Sequence, residues 1–164
     1  MTEREILEFL FELGKTSRDP EGVVAACLVR QGQILAASAS SDDGRYHAEY
    51  LVVRQARERG VTVDDTCVLY TTLAPCSDMP AVNDGRDCTT CLLEAGIRHV
   101  VFAADDLEYG TAAASRLRGA GATYRQVDDR ELVRRAAELF DSTLTRPLGS
   151  LHLPRARRLD LGST

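Results

Sequence analysis

A chain of 164 residues, of which 44% are hydrophobic and 27% charged, is long enough for one domain with a proper core and too short for two ordinary ones. No apolar run approaches the about 18 residues that span a membrane, and the first ten residues lack a basic, hydrophobic leader, so we expect a soluble, cytoplasmic protein. In that compartment the five cysteines are better explained as core residues, ligands or nucleophiles than as disulfides.

The charge is unevenly distributed along the chain. The net charge is -5, and residues 146–164 carry four arginines against one aspartate, a balance of +3 that leaves -8 for residues 1–145. An acidic body is a poor surface for nucleic acid, because such binding relies on several cationic contacts with phosphates. We therefore expect a domain at residues 1–146 and a basic tail at residues 147–164, which either forms part of an active-site lid or is partly disordered.

The first part of the chain predicts a helix, a hairpin and a second helix. Residues 3–14 place their apolar side chains near one helical face. Two apolar runs, residues 23–30 and 34–40, flank a polar turn at Gly32 and predict an antiparallel hairpin. A polar loop then leads to a helix over residues 47–59.

The second part of the chain alternates strands and helices. Strands are predicted at residues 67–72, 99–104 and 123–127, and helices at residues 88–95, 111–119 and 129–144. Asp128, with Glu131 three residues later, has the spacing of a cap for the last helix. Because such alternation requires crossover connections onto a largely parallel sheet, the sequence predicts a three-layer α/β/α domain with a five-stranded mixed sheet.

Residues able to bind a metal stand where two of the predicted helices begin. His47 opens one helix, and Cys76 and Cys88 bracket the loop that leads into the next. Three protein ligands with a fourth position left for water are typical of a catalytic zinc site, and a helix N-terminus stabilises thiolates. Glu49 lies two residues from His47, and side chains so spaced on a helix do not share a face. Glu49 is therefore better explained as a neighbour of the bound water than as a fourth ligand.

A combined motif resembles the zinc-dependent cytidine deaminase superfamily. The triplet His47-Ala48-Glu49 is followed by Leu73-Ala74-Pro75-Cys76 at the end of a strand and by a further cysteine at the start of the next helix. The resemblance covers nearly all of the predicted domain, and it implies a deaminase fold with one zinc ion per chain. The second half of the motif departs from the usual Pro-Cys-x-x-Cys, because the next cysteine after Cys76 is Cys88.

Two cysteines compete for the last ligand position. In the superfamily the second cysteine ligand begins a small-residue helix that ends about eight residues later in a Gly-Ile or similar pair. Counting back from Gly96 lands on Cys88, which we assign as the ligand. Cys91 stays open as the alternative, since the pair Cys88 and Cys91 also has a metal-binding spacing. Cys27 and Cys67 lie within apolar strands and are expected in the core.

Two branches of the superfamily share further residues with this chain. The riboflavin-pathway pyrimidine deaminases resemble it in Gly44, three residues before the histidine, and in Gly85-Arg86 between the cysteines. Fungal-type cytosine deaminases resemble it in three other stretches, residues 26–28, 69–73 and 127–130. Those cytosine enzymes hold the pyrimidine with an asparagine whose place here is near Ser40, a change that weakens the case for cytosine itself.

The resemblance also implies a mechanism and a set of substrate contacts. Zinc lowers the pKa of its water, and Glu49 takes the water proton, protonates the ring nitrogen beside the attacked carbon and helps ammonia leave. The exocyclic amine meets the backbone carbonyl of Ala74, and a ring carbonyl meets the backbone N–H of Ala48. Four further substrate contacts are implied. Val24 is a wall residue, and Ser40 stands at the place of the asparagine. Tyr109 is a ring-stacking or lid residue, and Asp160 corresponds to a C-terminal aspartate that contacts the substrate. For Tyr109, simple packing stays open as the alternative.

Three functions remain open at this point. The first is a hydrolytic deaminase of a small amino-heterocycle, such as a pyrimidine base, a nucleoside or a related amidine. The second, an adenosine deaminase acting on tRNA or other RNA, is disfavoured by the acidic body and by the long segment between the cysteines. The third is a non-catalytic zinc-bearing binding module, and the intact Glu49 argues against it. We expect a homodimer, with residues 77–87 placed to reach either the substrate or a neighbouring subunit.

Overall fold

The computed structural model describes residues 1–79 and 81–144. Its helices are α1 (Glu3–Gly14), α2 (Ala48–Glu58), α3 (Cys88–Glu94), α4 (Thr111–Gly119) and α5 (Arg130–Asp141). Its strands are β1 (Ala25–Arg30), β2 (Gln33–Ala39), β3 (Cys67–Leu73), β4 (His99–Ala104) and β5 (Thr123–Gln126), and a short 3-10 turn lies at Asn83–Gly85. Every predicted helix and strand is present, with small shifts at the ends. The predicted boundary at residue 146, the tail and Asp160 lie outside the described residues.

The five strands form one mixed sheet in the order β2-β1-β3-β4-β5. β1 is antiparallel to both β2 and β3, while β3, β4 and β5 run parallel. The turn between β1 and β2 passes through Gln31 and Gly32, with left-handed φ values of 49° and 75°. Turns of this hand match the twist of a hairpin, which explains the glycine. The predicted hairpin and the five-stranded mixed sheet are confirmed.

Helices cover both faces of the sheet. α1 and α5 pack against each other and against β3, whereas α2 packs against β1 and β2 and contacts α3, which in turn contacts α4. Neighbouring side chains of β3 show the two faces: Thr71 reaches Glu49 of α2, while Tyr70 interacts electrostatically with Glu3 of α1. Successive side chains of a strand point to opposite faces. The predicted three-layer α/β/α arrangement is therefore confirmed.

Side chains cap the helices α1 and α5. Thr2 and Glu5 form reciprocal hydrogen bonds across the first turn of α1, which makes a capping box. At α5 the cap is Asp129, whose side chain accepts hydrogen bonds from two N–H groups of the first turn. The prediction of Asp128 as the cap is wrong by one residue, because Asp129 is the residue whose extended backbone leads directly into the helix.

A close-packed core fixes the elements that carry the site. The largest fully buried side chains include Phe140, Leu7, Leu10, Leu69, Leu92 and Leu117. All five cysteines are buried and free, which agrees with the predicted core positions of Cys27 and Cys67. Within residues 1–79 and 81–144, no helix has the length and apolar character needed to cross a membrane.

Candidate metal centre and active site

His47, Cys76 and Cys88 form a buried cluster of metal-binding side chains. Their ligand atoms all lie within 4.8 Å of one another. His47 Nδ1 is 3.5 Å from Cys76 Sγ and 3.4 Å from Cys88 Sγ. Across the part of the chain that the structure describes, no other group of three His, Cys, Asp or Glu side chains has such a spacing. The structure thus brings together the three predicted ligands and leaves Cys91 out of the group.

The ends of three elements place these side chains. His47 is the N-cap of α2, with an extended backbone at φ -77° and ψ 154°, and Cys88 is the first residue of α3. Cys76 follows β3, and its sulfur accepts the backbone N–H of Cys88 at 3.3 Å. Because the first N–H groups of a helix have no partner within the helix, they stabilise negative charge on a sulfur placed beside them.

The donor set fits a zinc ion. Zinc binds nitrogen at about 2.0 Å and thiolate sulfur at about 2.3 Å in a tetrahedron, a geometry that separates neighbouring ligand atoms by about 3.5–3.8 Å. The nitrogen–sulfur distances of 3.4 and 3.5 Å are close to that spacing. One nitrogen and two sulfurs also leave a fourth position for water or substrate, as in catalytic zinc sites.

The electrostatics of the cluster favour a bound cation. Burial raises the pKa of the Cys88 thiol well above its ordinary value, and the neighbouring Cys76 and Glu49 raise that pKa further. Two adjacent thiolates in a buried site therefore require a compensating positive charge. A divalent metal ion supplies that charge, and its binding releases the thiol protons.

Glu49 is a buried carboxylate beside the cluster. Only 2% of its surface is exposed, and its Oε2 lies 3.5 Å from Cys88 Sγ. Its other oxygen, Oε1, accepts a hydrogen bond from Thr71 Oγ1 at 3.4 Å. A carboxylate is costly to bury without partners, and such groups concentrate at functional sites. Glu49 is therefore not an ordinary solvated acid.

Four of the predicted substrate contacts lie at two places in the fold. Val24 and Ser40 are buried neighbours: the Ser40 N–H donates to Val24 O at 2.8 Å, and Ser40 Oγ accepts the Val24 N–H at 3.2 Å. Ala48 is fully buried in the first turn of α2. Ala74 follows β3, and its N–H donates to Ala104 O at 2.8 Å. Ala48 directly follows His47, and Ala74 lies two residues before Cys76, so both are next to the cluster in sequence. Val24 and Ser40 lie instead at the two ends of the hairpin, before β1 and after β2.

Tyr109 lies in a tight loop, residues 105–110, that contacts the chain next to Cys76. Asp106 Oδ1 accepts the N–H groups of Glu108 at 3.1 Å and of Tyr109 at 3.0 Å. The backbone oxygen of Tyr109 accepts the N–H of Ser77 at 2.5 Å. Tyr109 therefore helps to fix the residue after Cys76 through its backbone, a contact that no sequence signal indicated.

Gly110→Ala is expected to destabilise this loop. A Cβ at Gly110 lies 2.6 Å from the backbone oxygen of Asp106, so the backbone must move to accommodate it. We expect the free energy of unfolding in a urea titration to fall by about 1–3 kcal/mol. Gly119→Ala is the matched control, since no atom lies within 4 Å of its added Cβ. Equal unfolding curves for the two variants would contradict the packing argument.

Arg116 of α4 is a residue that the sequence did not identify. Its guanidinium donates to Ser77 Oγ at 2.6 Å, to Asp87 Oδ2 at 2.9 Å and to Thr90 Oγ1 at 2.7 Å. Asp87 is the N-cap of α3. Burial raises the pKa of Asp87, but hydrogen bonds from backbone N–H groups, Thr90 and Arg116 outweigh burial and hold the pKa below its ordinary value. Arg116 thereby stabilises the first turn of the helix on which Cys88 lies.

Asn83 is a second residue that the sequence did not identify. Its side chain is fully buried. Asn83 Oδ1 accepts the backbone N–H of His47 at 2.8 Å, and Asn83 Nδ2 donates to Cys88 Sγ at 3.5 Å. The run Asn83-Asp84-Gly85 is a turn signal in the sequence. A turn signal gives no indication that the asparagine contacts two residues of the metal cluster.

A comparison with known families agrees with this site. Residues 1–104 match the family described as the cytidine and deoxycytidylate deaminase zinc-binding region. The chain belongs to this family, and the resemblance inferred from the sequence is confirmed. The expected zinc cofactor is supported both by the zinc-binding region and by the cluster of His47, Cys76 and Cys88.

Individual relatives extend the comparison. The riboflavin biosynthesis protein RibD of Aquifex aeolicus (strain VF5) is 29% identical over 145 residues, which are 86% of this chain and 38% of that protein. This chain thus spans little more than a third of that relative's length. The Aspergillus oryzae Rib2 deaminase structure has a TM-score of 0.71 at 20% identity, over 88% of this chain and 93% of that one. A diaminohydroxyphosphoribosylaminopyrimidine deaminase/reductase from Thermotoga maritima has a TM-score of 0.67 at 23% identity, over 87% of this chain and 41% of that one. These structures share the fold of this chain.

Proposed function

We propose that this chain is a zinc-dependent hydrolytic deaminase, which replaces the exocyclic amino group of a small amino-heterocycle by a carbonyl oxygen and releases ammonia. The observation that carries the proposal is a buried glutamate, Glu49, beside a His-Cys-Cys cluster. Hydrolysis of a cyclic amidine needs a nucleophilic oxygen and a group that moves protons between water, ring nitrogen and leaving amine. The cluster and Glu49 are suited to these two tasks.

The proposed zinc ligands are His47 through Nδ1, Cys76 and Cys88. A zinc ion held by these residues would lower the pKa of a water molecule and so supply a nucleophile at neutral pH. Nδ1 is the proposed ligand atom of His47 because it is the ring nitrogen near both sulfurs. The thiolates also offset the charge of the ion, which suits a buried site.

Glu49 is the proposed proton carrier. It accepts a proton from the attacking water and delivers it to the ring nitrogen beside the attacked carbon. It then takes the remaining proton of the same oxygen, as the carbonyl forms, and transfers that proton to the leaving amine, which departs as ammonia. Thr71 suits this cycle, since its hydroxyl lies 3.4 Å from Glu49 Oε1 and 3.0 Å from Leu73 O. An ionised Glu49 accepts a hydrogen bond from the Thr71 hydroxyl. A protonated Glu49 donates to Thr71 Oγ1, while Thr71 donates to Leu73 O.

The remaining predicted contacts orient the substrate in this proposal. The backbone oxygen of Ala74 receives the exocyclic amine, and the backbone N–H of Ala48 meets a ring carbonyl. The leaving amine and the ring carbonyl are thus both held by backbone groups at the ends of regular elements. Val24 forms a wall from the side of the hairpin, and Ser40 contacts the pyrimidine from the place that the asparagine has in the cytosine enzymes. Tyr109 covers the ring from the loop that follows β4.

Within the amino-heterocycles we propose a pyrimidine. The RibD protein of Aquifex aeolicus is a riboflavin biosynthesis protein, and the Thermotoga maritima structure is that of an enzyme named for a diaminohydroxyphosphoribosylaminopyrimidine deaminase step. The residues Gly44, Gly85 and Arg86, which resemble the riboflavin branch, point the same way. The acidic net charge of -5 supports a small molecule over a nucleic acid as the substrate.

The test is ammonia release by the zinc-loaded protein. The panel comprises cytosine, cytidine, deoxycytidylate, an aminopyrimidine phosphoriboside, adenine, guanine and a tRNA anticodon stem-loop. We expect turnover of a pyrimidine and its loss in Glu49→Ala. Turnover of the stem-loop alone would overturn the small-molecule proposal. A zinc-loaded protein that turns over no member of the panel, and that binds the same compounds equally well with and without Glu49, would favour the binding module.

We further propose that the chain acts as a homodimer in the cytoplasm. A groove of about 420 Å³ lies between the second half of α2 and the end of α3, and apolar side chains line much of it, among them Val53, Val61, Val63 and Ile97. A second copy of the chain is the proposed occupant. Light scattering over a hundredfold range of concentration should give twice the mass of the 17.9 kDa chain. A monomer mass at every concentration would overturn this assembly.

A further inference from the structure

The segment between Cys76 and Cys88 folds back onto the metal cluster. Its described residues include four non-glycine positions with left-handed backbone: Asp78, Ala81, Asn83 and Asp84. Such conformations persist only where the surroundings hold them in place. At the tip of the segment, Asp84 accepts hydrogen bonds from the hydroxyls of Tyr46 and Tyr50 at 3.0 and 3.1 Å. These contacts attach the segment to the start of α2, so its tip is held beside the residues that precede and follow His47.

Asn83 occupies the centre of this attachment. Its backbone N–H donates to Arg45 O at 2.9 Å, which joins the segment to the chain just before His47. Its side chain is fully buried and lies between the backbone of His47 and the sulfur of Cys88. The orientation of the amide follows from chemistry: the His47 N–H can only donate, so the amide oxygen faces it and the NH2 group faces the sulfur.

We propose that Asn83 is a positioning residue for the zinc site. It fixes the positions of His47 and Cys88 relative to each other, and it stabilises the thiolate of Cys88 through an N–H···S hydrogen bond. This inference rests on the proposed ligand set. Partners of metal ligands fix ligand orientation and alter the electron density on the ligand atom, and their loss typically weakens metal affinity about 10- to 100-fold. One side chain contacts two ligands from different helices. Its removal therefore frees the two ligands to move relative to each other, and it also takes away the donor that stabilises the negative charge on sulfur.

The left-handed backbone makes a matched set of variants available. Asn83→Gly removes both contacts and keeps a residue that adopts the φ of 50° without strain. Ala81→Gly introduces the same flexibility at an exposed position of the same segment, where φ is 62°. Asn83→Asp keeps an oxygen facing the His47 N–H and replaces the donor at the sulfur by an acceptor.

Zinc affinity and the spectrum of the cobalt(II)-substituted protein test the role of Asn83. Competition with a chromophoric chelator should show zinc bound about 10- to 100-fold more weakly by Asn83→Gly, and as tightly as in the parent by Ala81→Gly. The sulfur-to-cobalt charge-transfer band should move to longer wavelength in Asn83→Gly and Asn83→Asp, because the thiolate loses its hydrogen-bond donor. A purely structural asparagine lowers the unfolding temperature and leaves the affinity and the band of the folded protein unchanged; that outcome overturns the inference and leaves the deaminase proposal intact. A parent chain that binds no zinc overturns the ligand set together with this inference.

Discussion

Replacement of Glu49 by glutamine is expected to abolish nearly all turnover while the protein keeps its fold and its zinc. Proton transfer by a positioned side chain contributes about 10²- to 10⁴-fold to a rate, and Glu49 is proposed to carry two protons per cycle, so kcat should fall by at least the upper part of that range. Glutamine has nearly the same shape and can still accept the Thr71 hydroxyl. The measurements are kcat on the substrate found in the panel, zinc per chain and the unfolding temperature.

The electrostatics of the site support the expectation that this variant keeps its zinc. Glu49 is one of the groups that raise the pKa of the buried Cys88 thiol, so removal of its charge makes the Cys88 thiolate less costly and should not weaken zinc binding. Glu58→Gln, on the exposed end of the same helix, is the control and should retain the parent rate. Loss of zinc from Glu49→Gln in proportion to its lost activity would show that the carboxylate acts on the metal site and not as the proton carrier.

Local sequence patterns were sufficient to predict the helices and strands, and to predict at which of their ends the metal ligands lie. The helical and strand periodicities of the chain are strong, and the crossover connections leave few topologies open. His47 and Cys88 are at helix starts, which the sequence marks by the polar residues before them. The error at the cap of α5 arose because Asp128 and Asp129 are adjacent and of one residue type, so only the backbone conformation distinguishes them.

The residues that support the metal cluster could not be read from the sequence in the same way. Arg116 meets Ser77, 39 positions away, and Asn83 meets His47, 36 positions away. Contacts of this kind depend on how the segment between the cysteines folds, and that segment has no periodicity. An arginine on a helix and an asparagine in a turn are ordinary surface residues by pattern. Only the fold shows that Asn83 is fully buried and that the partly buried Arg116 donates to three side chains.

Replacement of Cys88 by serine is expected to remove zinc from the protein, whereas replacement of Cys91 is not. Cys88 Sγ lies 3.4 Å from His47 Nδ1, and Cys91 is absent from the cluster. Loss of a residue that only hydrogen-bonds to a metal ligand weakens metal binding about 10- to 100-fold. Loss of the ligand itself should weaken zinc binding by more than that. Zinc per chain after dialysis should therefore be near zero for Cys88→Ser and one for Cys91→Ser, and turnover should follow the zinc content.

The two cysteines also differ in what their removal does to the folded protein. Burial raises the pKa of the Cys91 thiol to about 11, so at neutral pH Cys91 is an uncharged side chain packed beside α2, and serine there should cost only about 1 kcal/mol of stability. The Cys88→Ser chain keeps His47 and Cys76 but lacks the second thiolate, and it should lose the rise in unfolding temperature that zinc gives to the parent. Full zinc content in Cys88→Ser with none in Cys91→Ser would reverse the assignment. Because Cys91 lies nearly one helical turn after Cys88, α3 would then have to shift along its axis by that distance to bring Cys91 to His47.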